Sequence, residues 1–278
     1  MKHCILLFLL LLPFPAWADD TKESVFDRIL RTGVIRCGYY VFPPATYRDP
    51  NTGTLSGLSI DMMEEIGKRA GLKIEWAEEY SWSGWTEALH ARRFDIACTP
   101  NWPDTPSARV VAFSVPMFYA ALFPVVRADD KRFTTNGLDQ FNKKSITFAV
   151  PEGDAPVTIT HAWFPQAKMN VLPPGSDTGS LGLQLLTKKA DALLWDDNAL
   201  YQFNKNNNKK IRAVARNTPV KLQSFSMAVD RNEMVLKDFI DNATFDLIND
   251  GTMDRLLKKW EPEPGKTYLC VANPAKVN

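Results

Sequence analysis

The sequence predicts an α/β fold in which two units of similar pattern enclose a cleft. Short apolar segments typical of buried strands alternate with helical segments over residues 34–98 and again over residues 145–195. Such alternation is typical of parallel sheets whose strands are joined by right-handed crossovers. Residues 224–260 return to one strand and two helices. We therefore expect the C-terminal part of the chain to rejoin the first unit.

The N-terminal segment, residues 1–18, has the pattern of a cleaved export signal. Lys2 and His3 precede the apolar run Ile5–Leu12, and Ala16-Trp17-Ala18 provides the small-x-small cleavage pattern. The apolar run is too short to span a bilayer. We therefore expect export to the periplasm, with an uncleaved N-terminal anchor as the alternative.

Composition narrows the possible functions. The chain has 33 basic and 32 acidic residues, so its net charge gives no electrostatic reason to expect nucleic acid or an anionic membrane as a partner. Three of the four cysteines follow the signal, which is too few for a disulfide scaffold and leaves at least one thiol unpaired. No cysteine or histidine cluster suggests a metal, and we expect no cofactor.

In the first unit, helical spacing is clearest after residue 57. Met62, Ile66 and Ala70 recur every four residues, and Gly71 ends the helix that they predict. The other elements predicted here are helices at 24–30 and 86–91, strands at 34–37, 72–76 and 94–98, and an aromatic loop at 39–44.

An aromatic, proline-rich loop follows the buried strand 94–98 and contains Thr99 and Trp102. A second helix is predicted to follow it and to end at Phe113-Ser114. Loops at the carboxyl ends of parallel strands are where open α/β sheets bind ligands. Both loop residues are therefore candidate binding residues.

The second unit and the C-terminal part repeat the pattern. Val235, Phe239, Ala243 and Leu247 are predicted to form the apolar stripe of a long helix. The other predicted elements are strands at 145–150, 168–172, 190–195 and 224–229, helices after Gly153 and at 181–188 and 253–260, and a solvated loop at 204–210.

Four motifs occur in order along the chain. They are Leu30-x3-Val34-Ile35-Arg36-Cys37-Gly38, Pro43-Pro44 with Gly57-x3-Asp61, Trp82-x-Gly84-x3-Ala88-Leu89 with Phe94-Asp95, and Asp250-Gly251-Thr252 with Lys259-Trp260. Together they resemble a known family, the extracytoplasmic solute-binding proteins of polar amino acid ABC transporters (family 3). The resemblance covers nearly the whole mature chain.

The resemblance implies a type II periplasmic-binding-protein-like fold of two hinged lobes. Lobe 1 is then expected at 19–124 and lobe 2 at 125–219, with residues 220–278 returning to lobe 1 and forming the C-terminal tail. The two crossing strands are expected near Leu122–Val126 and Pro219–Lys221.

The resemblance also implies a ligand site. Asp196 matches the aspartate that meets a ligand ammonium, although it could instead cap the following helix. Trp82 matches an aromatic wall, and Tyr39, Tyr40 and Phe42 occupy the loop that supplies the opposing wall. Some of these rings could instead pack beneath the loop.

Lobe 1 departs from the family pattern G-x-S-x-T-x-x-R, whose arginine holds a ligand carboxylate. Ser107 stands at the arginine position and Asp104 at the threonine, while Pro100 and Trp102 replace the Gly and Ser. Arg109 lies two residues later, roughly 200° around a helix, and reaches the cleft only through a register shift. The alternative is that Arg109 is a solvated residue on the outer side of this helix.

Lobe 2 departs in the same direction, because Gly153-Asp154-Ala155 replaces the Gly-Thr/Ser-Thr that helps to bind the carboxylate. Asp154 would repel an anionic group or would simply cap the helix. We therefore expect a ligand with a cationic group and without a free α-carboxylate. The family fold also places Cys37 and Cys98 on neighbouring strands, either bonded or as two buried thiols.

The expected function is capture of a small polar nitrogen-bearing solute, an amino acid or related amine, for an inner-membrane ABC permease. The protein is expected to be a monomer and not an enzyme. Two alternatives stay open: a periplasmic dehydratase-like enzyme, with Glu152 or Asp154 as general acid, and a sensory or accessory subunit that presents its ligand to a receptor.

Overall fold

The computed structural model describes residues 23–81, 84–134, 137–153, 155–174 and 176–261, and the backbone of 269–270. The export signal, Trp82 and Asp154 lie outside the described residues. The predictions made for them therefore stay predictions.

The described residues form a mixed α/β structure. The helices are α1 (Val25–Thr32), α2 (Leu58–Ala70), α3 (Trp85–His90), α4 (Ala155–Trp163), α5 (Thr178–Leu186), α6 (Asp197–Asn206), α7 (Met234–Asn249) and α8 (Thr252–Trp260). The strands are β1 (Val34–Tyr39), β2 (Tyr47–Arg48), β3 (Leu55–Ser56), β4 (Lys73–Glu79), β5 (Ile96–Asn101), β6 (Val111–Phe113), β7 (Phe118–Arg127), β8 (Thr147–Pro151), β9 (Lys168–Leu172), β10 (Ala192–Trp195), β11 (Ile211–Ala213), β12 (Lys221–Asp230) and β13 (Leu269–Cys270).

Two long strands connect the lobes. The main sheet has the order β4-β1-β5-β12-β7-β10-β8-β9, with β7 and β12 at its centre. Their first halves pair antiparallel with each other, from Lys221 opposite Leu122 to Phe225 opposite Phe118. The second half of β7 then pairs with β10, and the second half of β12 pairs with β5. Each long strand therefore belongs to both lobes, and the two-lobe α/β class is confirmed.

Each lobe has its own apolar core. In lobe 1, α2, α7 and α8 bury methionine and aliphatic side chains against the sheet. In lobe 2, two stacked phenylalanine pairs form much of the core: Phe133 on Phe141 with ring centroids 4.8 Å apart, and Phe148 on Phe164 at 5.0 Å. Separate cores allow the lobes to pack as separate units, and the exact boundaries at residues 124 and 219 stay predictions.

The lobe 1 core contains a disulfide between Cys37 of β1 and Cys98 of β5, two neighbouring parallel strands. The two Cα atoms are 5.4 Å apart, and both side chains are fully buried. Of the two alternatives considered from the sequence, the structure contains the bonded one.

The helix predicted up to Phe113 is wrong. The chain forms only a 3₁₀ turn at Ser107–Arg109 and then strand β6, which pairs with β12 through Phe113 opposite Ala228. The β-branched and aromatic residues of β6 suit a strand. The pairing partner lies more than 100 residues away in sequence, and the local pattern does not reveal it.

Two further details of the helices differ from the sequence prediction. In α7 the buried side chains include Leu236, Ile240 and Thr244, whereas Val235 is 65% exposed. The true stripe is thus shifted by one residue from the predicted one over most of its length. The predicted loop at 204–210 is also too long, because α6 continues to Asn206.

Within the described part of the chain, no helix is both long and apolar enough to cross a membrane. No group of three or more His, Cys, Asp or Glu side chains among these residues is placed to hold a metal ion.

Candidate ligand-binding site

A cleft of about 390 Å³ lies between the lobes and has the size of a small-molecule site. Lobe 1 contributes the two loops that follow β1 and β5, and lobe 2 contributes the ends of β8 and β10 with the first turns of α4, α5 and α6. The described lining residues are Phe42, Pro43, Trp102, Leu122, Ala149, Pro151, Ala155, Pro156, Ser176, Thr178, Leu181, Leu193, Leu194, Trp195, Asp196, Asn198, Ala199 and Gln202.

Asp196 lies on the lobe 2 wall at the junction of β10 and α6. The strand before it is buried at every position, so the chain emerges from the core directly at the cleft. The side chain caps α6, because its Oδ1 accepts a hydrogen bond from the Ala199 N–H at 2.8 Å. The capping role considered from the sequence is therefore present, and it coexists with a position on the cleft wall.

The carboxyl group of Asp196 is electrostatically unusual. Burial raises its pKa to about 6, and the charge of Asp197 adds to the rise, while the N–H groups of Ala199 and Asn198 oppose it. Asp197 itself pairs with Arg216 at 2.5 Å. Among the described residues that line the cleft, Asp196 is the one charged side chain. A cation that enters the cleft therefore meets a desolvated carboxylate.

Asn198 was not predicted from the sequence, and it joins the two walls of the cleft. Its Nδ2 donates to the carbonyl oxygen of Pro43 in lobe 1 at 3.0 Å. Its Oδ1 is buried and has no hydrogen-bond partner among the described residues. The sequence signal that could have found it is its place in the first turn of the helix that follows the strand-terminal Asp196.

Aromatic side chains supply much of the remaining wall. Phe42 and Trp102 line the cleft from lobe 1, and Trp195 lines it from lobe 2. Trp102 is held edge-on against Phe225, with ring centroids 6.1 Å apart. Trp195 is another lining residue that the sequence did not identify, because it is simply the last residue of a predicted buried strand.

Tyr39 and Tyr40 are not among the residues that line the cleft. Tyr40 packs beneath the loop, where its hydroxyl donates to the Pro100 carbonyl oxygen and its ring lies 5.7 Å from that of Phe42. Tyr39 packs edge-on against Trp76 at 6.0 Å. Burial raises the pKa of the Tyr39 hydroxyl.

Thr99 is also buried beneath the loop. Its hydroxyl is 2.8 Å from the hydroxyl of Tyr80, which also donates to Asn101 Oδ1 at 3.0 Å. Burial raises the pKa of Tyr80, so this phenol stays neutral. Thr99 therefore supports the loop from below and does not contribute to the described lining.

Ser107 and Arg109 lie in the 3₁₀ turn away from the 390 Å³ cleft. Asp104 stabilises the start of this turn by accepting bonds from the N–H and hydroxyl of Ser107 at 2.7 and 2.9 Å. Arg109 is exposed, and its carbonyl oxygen accepts a bond from Arg231. The structure does not bring these two residues to Asp196, and the described lining contains no arginine.

Most of the sequence matches one family of known proteins. Residues 35–263 match the family of bacterial extracellular solute-binding proteins, family 3. The chain belongs to this family. The sequence resemblance is thereby confirmed.

The relatives of this family member include binding proteins and an enzyme. The amino-acid-binding protein AabA of Dichelobacter nodosus is 23% identical over 220 residues, which cover 79% of this chain and 84% of that protein. The cyclohexadienyl dehydratase of Pseudomonas aeruginosa is 27% identical over 179 residues. That alignment covers 64% of each chain, less than two thirds of the dehydratase.

A solved structure supports the fold. The probable amino-acid ABC transporter extracellular-binding protein ytmK of Bacillus subtilis superposes with a TM-score of 0.69 at 20% identity, covering 82% of this chain and 97% of that chain. At this level of identity the similarity concerns the fold alone.

Proposed function

We propose that this family member is an extracytoplasmic solute-binding protein that captures a small cationic nitrogen compound, an amino acid or a related amine, between its lobes. Membership of the family and the amino-acid-binding relatives support the binding of a small solute. The ligand class rests on the cleft itself.

The observation that carries the proposal is the position of Asp196. It is the one charged residue of the described lining, it is 8% exposed, and apolar and aromatic side chains surround it. Coulomb attraction is weakly screened in such a site. A cationic nitrogen therefore gains an ion pair at Asp196 and contact with the rings of Phe42, Trp102 or Trp195.

The same lining disfavours a free carboxylate on the ligand. No described lining residue carries a positive charge, whereas Arg109 and the 3₁₀ turn lie elsewhere. A ligand carboxylate would have to be desolvated without a cationic partner, which is costly. We therefore propose amines, or amino acid derivatives with a blocked carboxylate, ahead of free α-amino acids.

Calorimetric titration tests this proposal. Purified protein is freed of bound ligand by unfolding and refolding, and is then titrated with diamines, aromatic amines, amino acid amides and free amino acids. Amines and amides should bind, and Asp196→Asn should abolish their binding. The matched control is Asp177→Asn, which changes an exposed aspartate that caps α5 through the Ser180 N–H at 2.6 Å. Tight binding of free α-amino acids that depends on Arg109 would refute the proposed ligand class.

We further propose that the liganded monomer acts in the periplasm and delivers its solute to an inner-membrane ABC permease. The export signal predicted at residues 1–18 supports this location. Deletion of the gene should abolish uptake of the ligand found by titration. A sensory or accessory role would leave uptake intact and abolish a transcriptional or behavioural response instead.

A dehydratase-like enzyme is the second candidate, and one observation favours it beyond the dehydratase relative. A carboxyl with a pKa of about 6 is partly protonated near neutral pH, as a general acid must be. Glu152, considered as a general acid from the sequence, is exposed and does not line the cleft. Incubation with cyclohexadienyl acids would detect this activity as catalysed loss of water that Asp196→Asn abolishes.

A further inference from the structure

We propose that Asn198 is a second ligand-binding residue of the cleft, and that it selects a nitrogen carrying at least two N–H groups, as in a primary ammonium or a guanidinium. The inference rests on the proposed function, because it starts from a cationic nitrogen at Asp196. It adds a residue and a chemical requirement that the charge of Asp196 alone does not impose.

The first step is the orientation of the Asn198 side chain. This side chain is 5% exposed and lines the cleft beside Pro43. The carbonyl oxygen of Pro43 can only accept, so the NH₂ group of Asn198 must be the part that faces it, at 3.0 Å. The amide oxygen is thereby fixed on the other side of the amide, and none of the described residues donates to it.

The second step is the energetic meaning of that oxygen. A buried acceptor without a donor is destabilising, and native proteins contain few of them. Asn198 lines the cleft, and its buried oxygen is satisfied when a ligand in the cleft comes within hydrogen-bond distance and supplies the missing N–H. The Oδ1 of Asn198 therefore prefers a ligand that donates hydrogen bonds.

The third step is the neighbouring carboxylate. A carboxylate offers about four acceptor sites, and the N–H groups of Asn198 and Ala199 use part of this capacity at Asp196. Asp196 is the N-cap of α6 and Asn198 lies in its first turn, and both residues line the same wall. A nitrogen with two or more N–H groups can donate to both oxygens at once.

A quaternary ammonium lacks this ability. It keeps the Coulomb attraction to Asp196, but it has no N–H and leaves the Asn198 oxygen buried without a donor. A site that depends on buried hydrogen bonds discriminates strongly against ligands that cannot make them. The cleft should therefore discriminate between amines and their N-trimethylated counterparts of the same skeleton.

The test uses phenethylamine, putrescine and lysine amide, each paired with its N-trimethylated counterpart, in calorimetric titrations. Asn198→Leu removes both polar atoms at nearly constant size, and Asn198→Ala serves as a second variant if the leucine variant fails to fold. The matched control is Asn207→Ala, which removes the bond from Nδ2 to the Phe203 carbonyl oxygen at the end of α6, outside the cleft. Asp196→Asn reports on the proposed function itself.

The expected result is a primary amine that binds the natural protein at least about tenfold more tightly than its trimethylated counterpart. Asn198→Leu should remove most of that difference by weakening the primary amine more than its trimethylated counterpart, and Asn207→Ala should change neither. If Asn198→Leu and Asn198→Ala keep the difference while Asp196→Asn abolishes binding, the role of Asn198 is overturned and the proposed function stands. If no probe binds, or Asp196→Asn has no effect, the proposed function fails and the inference fails with it.

Discussion

Replacement of Asp196 by asparagine should stabilise the ligand-free protein while it destroys the site. A carboxyl whose pKa is about 6 in the folded state and 3.8 when unperturbed carries a cost of about 3 kcal/mol at pH 7, since each pKa unit corresponds to 1.36 kcal/mol. Asparagine caps helices as well as aspartate does, so the bond from the Ala199 N–H is retained. The new NH₂ group in a buried position offsets about 1 kcal/mol of the gain.

The net expectation is a gain of about 2 kcal/mol at pH 7, or roughly 4–8 °C in Tm for a protein of this size. The sign depends on pH in a definite way. Because the folded-state pKa of Asp196 is raised, the folded protein binds the proton more tightly than the unfolded chain. The cost of the charged carboxylate is therefore small at pH 4, grows between pH 4 and pH 6, and is nearly constant above pH 7.

Calorimetric unfolding of ligand-free samples at pH 4, 5, 6 and 7 measures this effect. The Tm of Asp196→Asn should exceed that of the natural protein at pH 7, and the difference should shrink as the pH falls and reverse slightly at pH 4, where the offset from the new NH₂ group is no longer outweighed. Asp177→Asn should behave in the opposite way at neutral pH, because the Ser180 N–H lowers the pKa of Asp177 and its charged form is favourable. A lower Tm for Asp196→Asn at pH 7, or a difference that does not change with pH, would refute the reasoning.

Three further predictions concern pH, the disulfide and close packing. Cation affinity should be about tenfold weaker at pH 5 than at pH 7, since protonation of Asp196 near pH 6 removes the charge; titration at both pH values measures this. The double variant Cys37→Ser, Cys98→Ser should lose roughly 4 kcal/mol in denaturant unfolding, because the bond closes a sequence separation of 61 residues. Gly38→Ala should lose about 1–3 kcal/mol in the same assay, because the new Cβ would lie 2.6 Å from the Phe94 ring.

Each of these predictions has a control within the chain. For pH, Asp196→Asn should bind no cation at pH 5 or at pH 7, and binding by this variant that still weakens between pH 7 and pH 5 would assign the titration to another group. For the disulfide, reduction of the natural protein should reproduce the loss seen in the double variant. For close packing, Gly179→Ala should be neutral or stabilising, because its nearest contact is the side chain of Asp177 at 3.3 Å within an exposed helix. Equal losses at both glycines would remove the steric explanation.

Most of the fold could be predicted from the sequence because its elements have strong local signals. The short strands of both lobes and the helices closed by Gly33 and Gly71 lie close to their predicted positions. The ordered motifs then indicated the family, which the match over residues 35–263 confirms. Local periodicity shows which side of a helix or strand is buried. It can be recognised without knowing which other elements pack against that side.

The structural predictions were wrong where contact with a segment distant in the sequence determines the local structure. Residues 111–113 form a strand because they pair with the edge of β12. The helix was predicted from the local sequence alone, which does not show that β12 lies beside this segment. The α7 stripe was misplaced by one residue because Val235 and Leu236 are equally apolar, and only packing against the sheet distinguishes them.

The candidate site shows the same division. The sequence by itself determined the alternation of strands and helices, the family motifs and the position of Asp196 at a strand end, all of which are encoded over a few residues. Only the tertiary structure decided which side chains share the cleft: it brought Asn198 to Pro43, 155 residues away in the chain, and left Arg109 outside the described lining. A cleft forms where segments that are distant in the sequence are brought together by the packing of the two lobe cores. Short-range sequence patterns do not encode which distant segments come together.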